Sequence, residues 1–509
     1  MSAVTTPAGS RSLVLRLVLA AALTTSVALH NRFPLTYYDS ASYLKKAYAF
    51  THAAQSLSLH VEDYRSFQPP SGSPFTNPFF YRPAPYTLFL VPFASPVTLW
   101  ALPFAQGLLA AFVVSLALRT AGLHLSTRGF VLLFAGLTAC TSLSWFTGQV
   151  MPDVFTGLLV LLAYVALWGE DRLPDRDRTI ASALLAFVLA THLSHLPLFV
   201  GLLAAGLIWQ AVMERVAIDL PDVGRRAVLP LIVAVTALVA SNYVFTRKPV
   251  VSESSSLFYL ARLIGDGTAQ RYLERACPVR GYLLCAERGN LPEDSDHFLW
   301  ASDGAWTKYQ NDPRFLAEAG AIVRGTLRQE WPAQIAASLR NAASQLGSIR
   351  TDLDLHESDG QVRPLMTLFG PPTLAAYQAS LQARRELPLE SAGEVQVWAV
   401  IVSLVLLVGL APWGLAGKGG AGGLLWMTLS GVLLNAAVVG TLSSVHDRYE
   451  SRVIWLVPLA VFAVLAARYQ DAPSPRAVRW LYEKKVAPAA PRPVLAREPV
   501  AGAAAAPRA

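Results

Sequence analysis

Apolar residues come in blocks of roughly 15–22 along the chain, each long enough to cross about 30 Å of hydrocarbon as a helix. The blocks lack the polar/apolar alternation of barrel strands, and lipid leaves an unpaired backbone no partner, so the pattern predicts helices. Ten spans are expected, at 12–30, 98–118, 129–147, 154–169, 179–191, 196–213, 227–245, 395–413, 423–442 and 453–467. Arg11 and Arg16 ahead of the first block resemble a signal peptide. With Arg16 able to snorkel and nine blocks following, the block reads as an uncleaved anchor.

Two long segments interrupt the pattern, at 31–97 and 246–394. The first opens FPLTYYDSASYLKKAYAF, in which Phe33, Tyr37, Tyr38 and Tyr43 suit a membrane interface. Asp39 or Ser40 can cap a short helix running to about Phe50. It closes FTNPFFYRPAPYTLFLVPFAS, where five prolines from Pro78 to Pro96 break an apolar run, predicting a helix lying in or dipping into the interface. The second segment is mostly helical by pattern. Leu257, Leu260, Ala261 and Ile264 share one face, and Ile335, Leu339 and Leu346 follow Pro332 at helical spacing. Between them Glu293, Asp294, Asp296 and Asp303 lack the ligand spacing of a calcium loop and read as polar surface. No Ser/His/Asp signature or Gly-rich phosphate loop marks this segment as a separate catalytic domain. It is expected to cover a site or select an acceptor.

The composition agrees: 53% hydrophobic, 15% charged, over 509 residues, with a mean hydropathy of +0.39. A soluble chain of this length would carry more charge. Lys and Arg set the orientation. Arg119, Arg128, Arg172, Arg176, Arg178, Arg215, Arg225, Arg226 and Lys418 fall on one set of connections, and the loops 148–153 and 192–195 carry none. The positive set, both termini included, is expected to be cytoplasmic, and the two long segments periplasmic, as in a bacterial inner-membrane protein. The tail from 468 holds eight Lys/Arg against three Asp/Glu and is expected to be disordered from about 486. Its charge is explained by orientation and anionic lipid, with no call for nucleic acid.

Of three cysteines, Cys140 falls within an apolar block and reads as a buried small hydrophobe. Cys277 and Cys285, in CPVRGYLLC, are expected to form a disulfide if their segment faces an oxidising compartment. Two cysteines alone make a poor zinc set, and no metal ligands are assigned.

Candidate chemistry gathers in the connections between spans. FTGQVMPDVF sets Asp153 at a helix start, and SSVHDRYESRVIWLVP packs His446, Asp447, Arg448, Glu450 and Arg452 against the last span, where charge is costly. An acidic residue within ten positions of the first span, YRPAPYTLFLVPF, a second acid in GQVMPD and the late DRYESRVIWLVPLAVF together resemble GT-C glycosyltransferases. The likeness is to the bacterial branch that includes aminoarabinose and protein mannosyl transferases. It covers residues 1–245 and the last three spans, and nothing in 246–394.

The resemblance implies transfer of a sugar from a polyprenyl phosphate carrier to a glycan, lipid or protein acceptor, with inversion. In that chemistry Asp39 is the base; Asp153 orients the acceptor, shares the base role or helps hold a divalent cation, which some members use and others do not. Arg448, Arg452 and Arg82, with Tyr449 and His446, are candidates for the donor phosphate. Plainer roles compete: Asp39 as an N-cap, Asp153 as a helix-start residue, the arginines as lipid anchors, His446 as a solvated loop histidine. His192 and His195 lack a third ligand and fit a helix break or pore lining. A flippase for a lipid-linked saccharide and a surface-polysaccharide polymerase or ligase are the alternative functions. Against the flippase, charges cluster in loops and no internal repeat is evident.

Overall fold

The structure is a computed structural model describing residues 7–55, 81–216, 218–312, 314–351, 355, 359–414 and 420–471. Pro78, Lys418 and the tail beyond 471 lie outside these residues, as does the expected disorder from 486. The described chain is helical with no strand, and its one isolated bridge pairs Leu35 with Gln149 in parallel.

Seven helices are long and apolar enough to cross a membrane: Ser12–Asn31, Thr98–Thr120, His195–Glu214, Leu220–Val244, Leu389–Gly409, Gly420–Leu442 and Asp447–Gln470. Three expected spans are shorter. The block 129–147 divides into Thr127–Cys140 and Leu143–Thr147, because Thr141 takes an extended conformation. Thr141 turns its hydroxyl back onto the Leu137 carbonyl, a bond that competes with helix continuation. Val154–Trp168 has 15 residues, and Asp175–Thr191 has 17 with Asp175 and Asp177 in its first turn.

Val154–Trp168 need not match the thickness of lipid, because other helices surround it. Its residues from Val154 to Val165 are all buried, against Ala101–Thr120, Asp175–Thr191, His195–Trp209, Gly420–Leu442 and Asp447–Ile454. Close approach depends on Gly157, where a Cβ would fall 2.8 Å from the Trp455 ring.

Cys140 differs from expectation: it ends its helix exposed, because Leu133, Phe134 and Leu137 supply the inward face. Ala84–Leu90 and the 3₁₀ turn Val91–Phe93 follow the proline stretch, with Tyr86, Thr87 and Leu90 buried among neighbouring helices.

The segment after Thr246 holds a second core. Leu257, Leu260, Ala261 and Ile264 are fully buried there with Leu273, Phe298, Phe315 and Ile322. Cys277 and Cys285 are joined, with Cα atoms 5.5 Å apart. Asp294 caps Ser295–Trp300, its carboxylate accepting from the His297 N–H at 2.8 Å. This helical unit is fastened to the bundle by Ser295 with Ser444 at 2.6 Å and by Arg262 donating to the Ser443 carbonyl at 3.2 Å.

Candidate functional site

Residues 35–40 and 148–153 come together through main-chain pairing. Leu35 N–H donates to Gly148 at 2.9 Å, and Val150 N–H returns to Leu35 at 2.8 Å. Ser40 accepts from Tyr37 N–H at 2.8 Å and donates to the Val150 carbonyl at 2.9 Å, so Ser40 makes the capping contact at the start of Tyr38–Gln55. Asp39, in the first turn, is left for another partner. Gln106, wholly buried, donates to the Thr147 and Gln149 carbonyls at 3.0 and 2.8 Å and holds the second loop in place.

Arg82 donates to Asp39 at 2.5 Å, and about a fifth of each side chain stays exposed, 19% and 23%. Burial works against the Arg82 charge, but Asp39 beside it outweighs that and keeps the guanidinium firmly charged. Arg82 also borders a narrow cleft of about 10 Å³, walled by Leu193, Leu238 and Val251 with Ser241 and Asn242 among its polar lining.

Asp153 is buried, with 1% of its side chain exposed. It makes no cap bond to its own helix. Arg448 meets its two oxygens through Nε and Nη2, both at 3.2 Å, and Arg452 adds Nη1 at 3.3 Å. Arg452 gives Nη2 to Asn435 Oδ1 at 3.2 Å, and Asn435 donates to Glu450 at 3.0 Å. Aromatic faces complete the cage. Arg448 lies 4.0 Å from the Tyr37 ring centroid, and Tyr449 faces both arginines at 5.4 and 5.0 Å. Ser142 anchors the arginine-bearing helix by donating to the Ser451 carbonyl at 2.6 Å.

Two arginines on one carboxylate leave net positive charge, and their donors are largely directed at Asp153 and Asn435. A divalent cation does not fit there, since both Asp153 oxygens already face guanidinium groups. Among the described residues no three His, Cys, Asp or Glu gather as a metal set. The partly exposed Asp39–Arg82 pair is the one with room to exchange partners.

His446 edges the cage, its ring 5.5 Å from that of Tyr449, and its Nε2 lies 2.9 Å from Asp296 of the helical unit. Burial opposes the Asp296 charge, but His446, Ser444 and Arg262 together outweigh it and hold the carboxyl below its ordinary range. His195 packs beneath the site, 3.0 Å from Thr156 and 2.7 Å from the Val188 carbonyl, with His192 at the preceding helix end.

Sequence reasoning missed two members. Asn435 is an amide inside an apolar span, where a lone polar residue was itself a signal. Tyr43 was read as an interface aromatic, yet its ring is fully buried and its hydroxyl lacks a hydrogen-bond partner. Burial pushes its phenol up, and Arg82, Asp39, Asp153 and Arg448 are all near enough to act on it. Tyr43 thus senses both ion-paired groups, which gather at one end of the bundle. Comparisons with protein-family models, with curated proteins and with solved structures give no match, so the case for function rests on this geometry.

Proposed function

We propose that this chain is a membrane glycosyltransferase of the GT-C type, moving a sugar from a polyprenyl phosphate carrier to a glycan, lipid or protein acceptor. In this reading ten helices span a bacterial inner membrane with both termini cytoplasmic. The shorter Thr127–Cys140, Val154–Trp168 and Asp175–Thr191 helices are spans too, the second of them enclosed by its neighbours, and the site end is periplasmic.

One observation carries the reading: a carboxylate and a guanidinium, Asp39 and Arg82, meet at 2.5 Å beside an apolar-walled cleft in a membrane bundle. Transfer from a phosphate carrier needs that pair of functions. Asp39 takes the proton of the acceptor hydroxyl as its oxygen attacks the anomeric carbon. The bond from that carbon to the carrier phosphate breaks, and the phosphate leaves with the electron pair onto Arg82. Attack from the face opposite the leaving group inverts the anomeric centre. Binding of the phosphate would draw Arg82 from Asp39 and free the carboxylate as the donor arrives. Arg448 and Arg452, held on Asp153, supply a fixed positive field beside the leaving group.

The test is sugar consumption from a panel of polyprenyl phosphate sugars by purified protein, with mass spectrometry of surface glycans and lipids in a deletion strain. Transfer that is lost in Asp39→Asn supports the proposal. Donor carried across vesicle membranes with no sugar transferred from any donor would assign the flippase instead.

A further inference from the structure

The helix Trp331–Gly347 is built inside out for a helix in water. Its inward face is polar: Gln334 donates to Asp266 at 2.7 Å and accepts from Thr268 at 2.7 Å. Asn341 donates to Asp266 at 2.9 Å, and Gln345 exchanges bonds with the His446 backbone at 2.7 and 3.1 Å. Its outward face is apolar. Trp331 is 58% exposed, Ile335 52%, Leu339 66% and Leu346 36%. Steps of four, four and seven residues set these side chains on one stripe.

A stripe of this size in water would favour association or collapse. Its neighbour identifies what covers it. Trp331–Gly347 packs along Gly420–Leu442, one of the seven membrane-length helices. The backbones meet so closely that a Cβ on Gly440 would fall 2.5 Å from the Ala342 nitrogen. That membrane helix exposes Leu433 at 57% and Leu442 at 41%, so the apolar stripe continues a surface already turned to lipid. The sole charge on Trp331–Gly347, Arg340, stands exposed beside Leu339, where it can reach lipid phosphates. A terminal Trp, an apolar stripe and a flanking arginine are the chemistry of an interfacial helix.

We propose that Trp331–Gly347 is immersed in the membrane interface at the site end of the bundle, with Trp331, Ile335, Leu339 and Leu346 in lipid and Gln334, Asn341 and Gln345 toward the protein. The helical unit therefore rests on the bilayer, and Gln345 ties that resting position to His446, two residues before Arg448. Lipid is the occupant of the stripe, in preference to a second copy of the chain.

The test uses the full chain carrying Cys140→Ser, with the disulfide intact, in vesicles of phosphatidylethanolamine and phosphatidylglycerol. Spin labels are placed singly at Ile335→Cys and Leu339→Cys, with Leu433→Cys as lipid control and Gly289→Cys as water control. Collision with oxygen relative to a water-soluble nickel chelate is expected to be several-fold higher at 335 and 339 than at 289, approaching 433. Ratios matching position 289 would overturn the proposal. So would spin–spin broadening at 339 that is relieved by diluting with unlabelled protein, which would make the stripe a contact between copies. Both labelled positions are exposed, and an unchanged melting curve in detergent confirms that the variants fold.

Discussion

Arg82 reaches back 43 residues to Asp39 and forms an ion pair that is neither buried nor free, each side chain about one-fifth exposed. A fully buried pair would be fixed, and a fully solvated one would be worth little. At this depth the pair can open for an anionic ligand without leaving a charge stranded.

Replacing Asp39 by Asn is expected to reduce transfer by about 10²–10⁴-fold, the usual contribution of a general base. Stability should change by about 1 kcal/mol or less, since the pair is partly solvated. Arg82→Ala should weaken donor binding while leaving Asp39 in place. Donor titration and melting temperature of each variant check both statements. An Asp39→Asn protein with wild-type turnover would remove Asp39 from the base role.

Asp153→Ala should behave in the opposite way, as a folding defect. Two buried guanidinium groups would lose their counter-charge, a cost of about 3–5 kcal/mol for breaking a buried pair. Low yield and a lowered unfolding midpoint in detergent are expected. Arg448→Lys should not restore the wild type, because an ammonium cannot give the paired Nε and Nη2 bonds that Arg448 makes.

Lys46 gives a pH prediction. It lies on Tyr38–Gln55, donating to Ser42 at 3.0 Å, and burial lowers it from 10.5 to about 7. Above pH 10.5 the lysine is neutral folded or unfolded. Between 10.5 and 7 the unfolded chain binds the proton and the folded chain does not, so stability falls as pH falls. Below 7 both forms are charged and the loss is complete. Lys46→Met should therefore show a stability advantage over wild type that is small at high pH and grows toward pH 7. Denaturation at several pH values reads the slope, and parallel curves for the two proteins would refute it.

Cys277→Ser with Cys285→Ser should lower the stability of the helical unit by about 2–3 kcal/mol, the chain-entropy value for so short a loop. Proteolysis should show the unit opening while the membrane helices stay protected. Reductant alone should reproduce the effect in wild type and do nothing to the double variant.

Local pattern made the helical class visible, together with the face shared by Leu257, Leu260, Ala261 and Ile264. Apolar run length identified the seven long helices. It did not determine whether the shorter blocks cross, because what a helix needs depends on what surrounds it. Val154–Trp168 is surrounded by protein, and no one-dimensional count reports that. Spacing likewise carried no sign that Ile335 and Leu339 face outward; periodicity defines a stripe but not the medium that it meets. Asp39, Arg82, Asp153, Arg448 and Arg452 were legible as candidate site residues, each beside a plainer role as cap, helix-start residue or lipid anchor. Their pairing was not, since Asp153 and Arg448 stand 295 positions apart. Asp153 does stand at its helix start, as the pattern placed it, but its carboxylate turns to the guanidinium groups of Arg448 and Arg452.

That separation bears on how the protein is made. Asp153 leaves the ribosome long before Arg448 and Arg452, so most of the chain is inserted while this carboxylate has no counter-ion. Until Asp447–Ile454 packs beside it, a buried carboxylate at Asp153 has no counter-charge and is cheapest protonated or facing water. A chain that lacks Asp447–Ile454 leaves Asp153 without either guanidinium partner. Closure of the bundle around Asp153 therefore waits for the helix that carries Arg448 and Arg452.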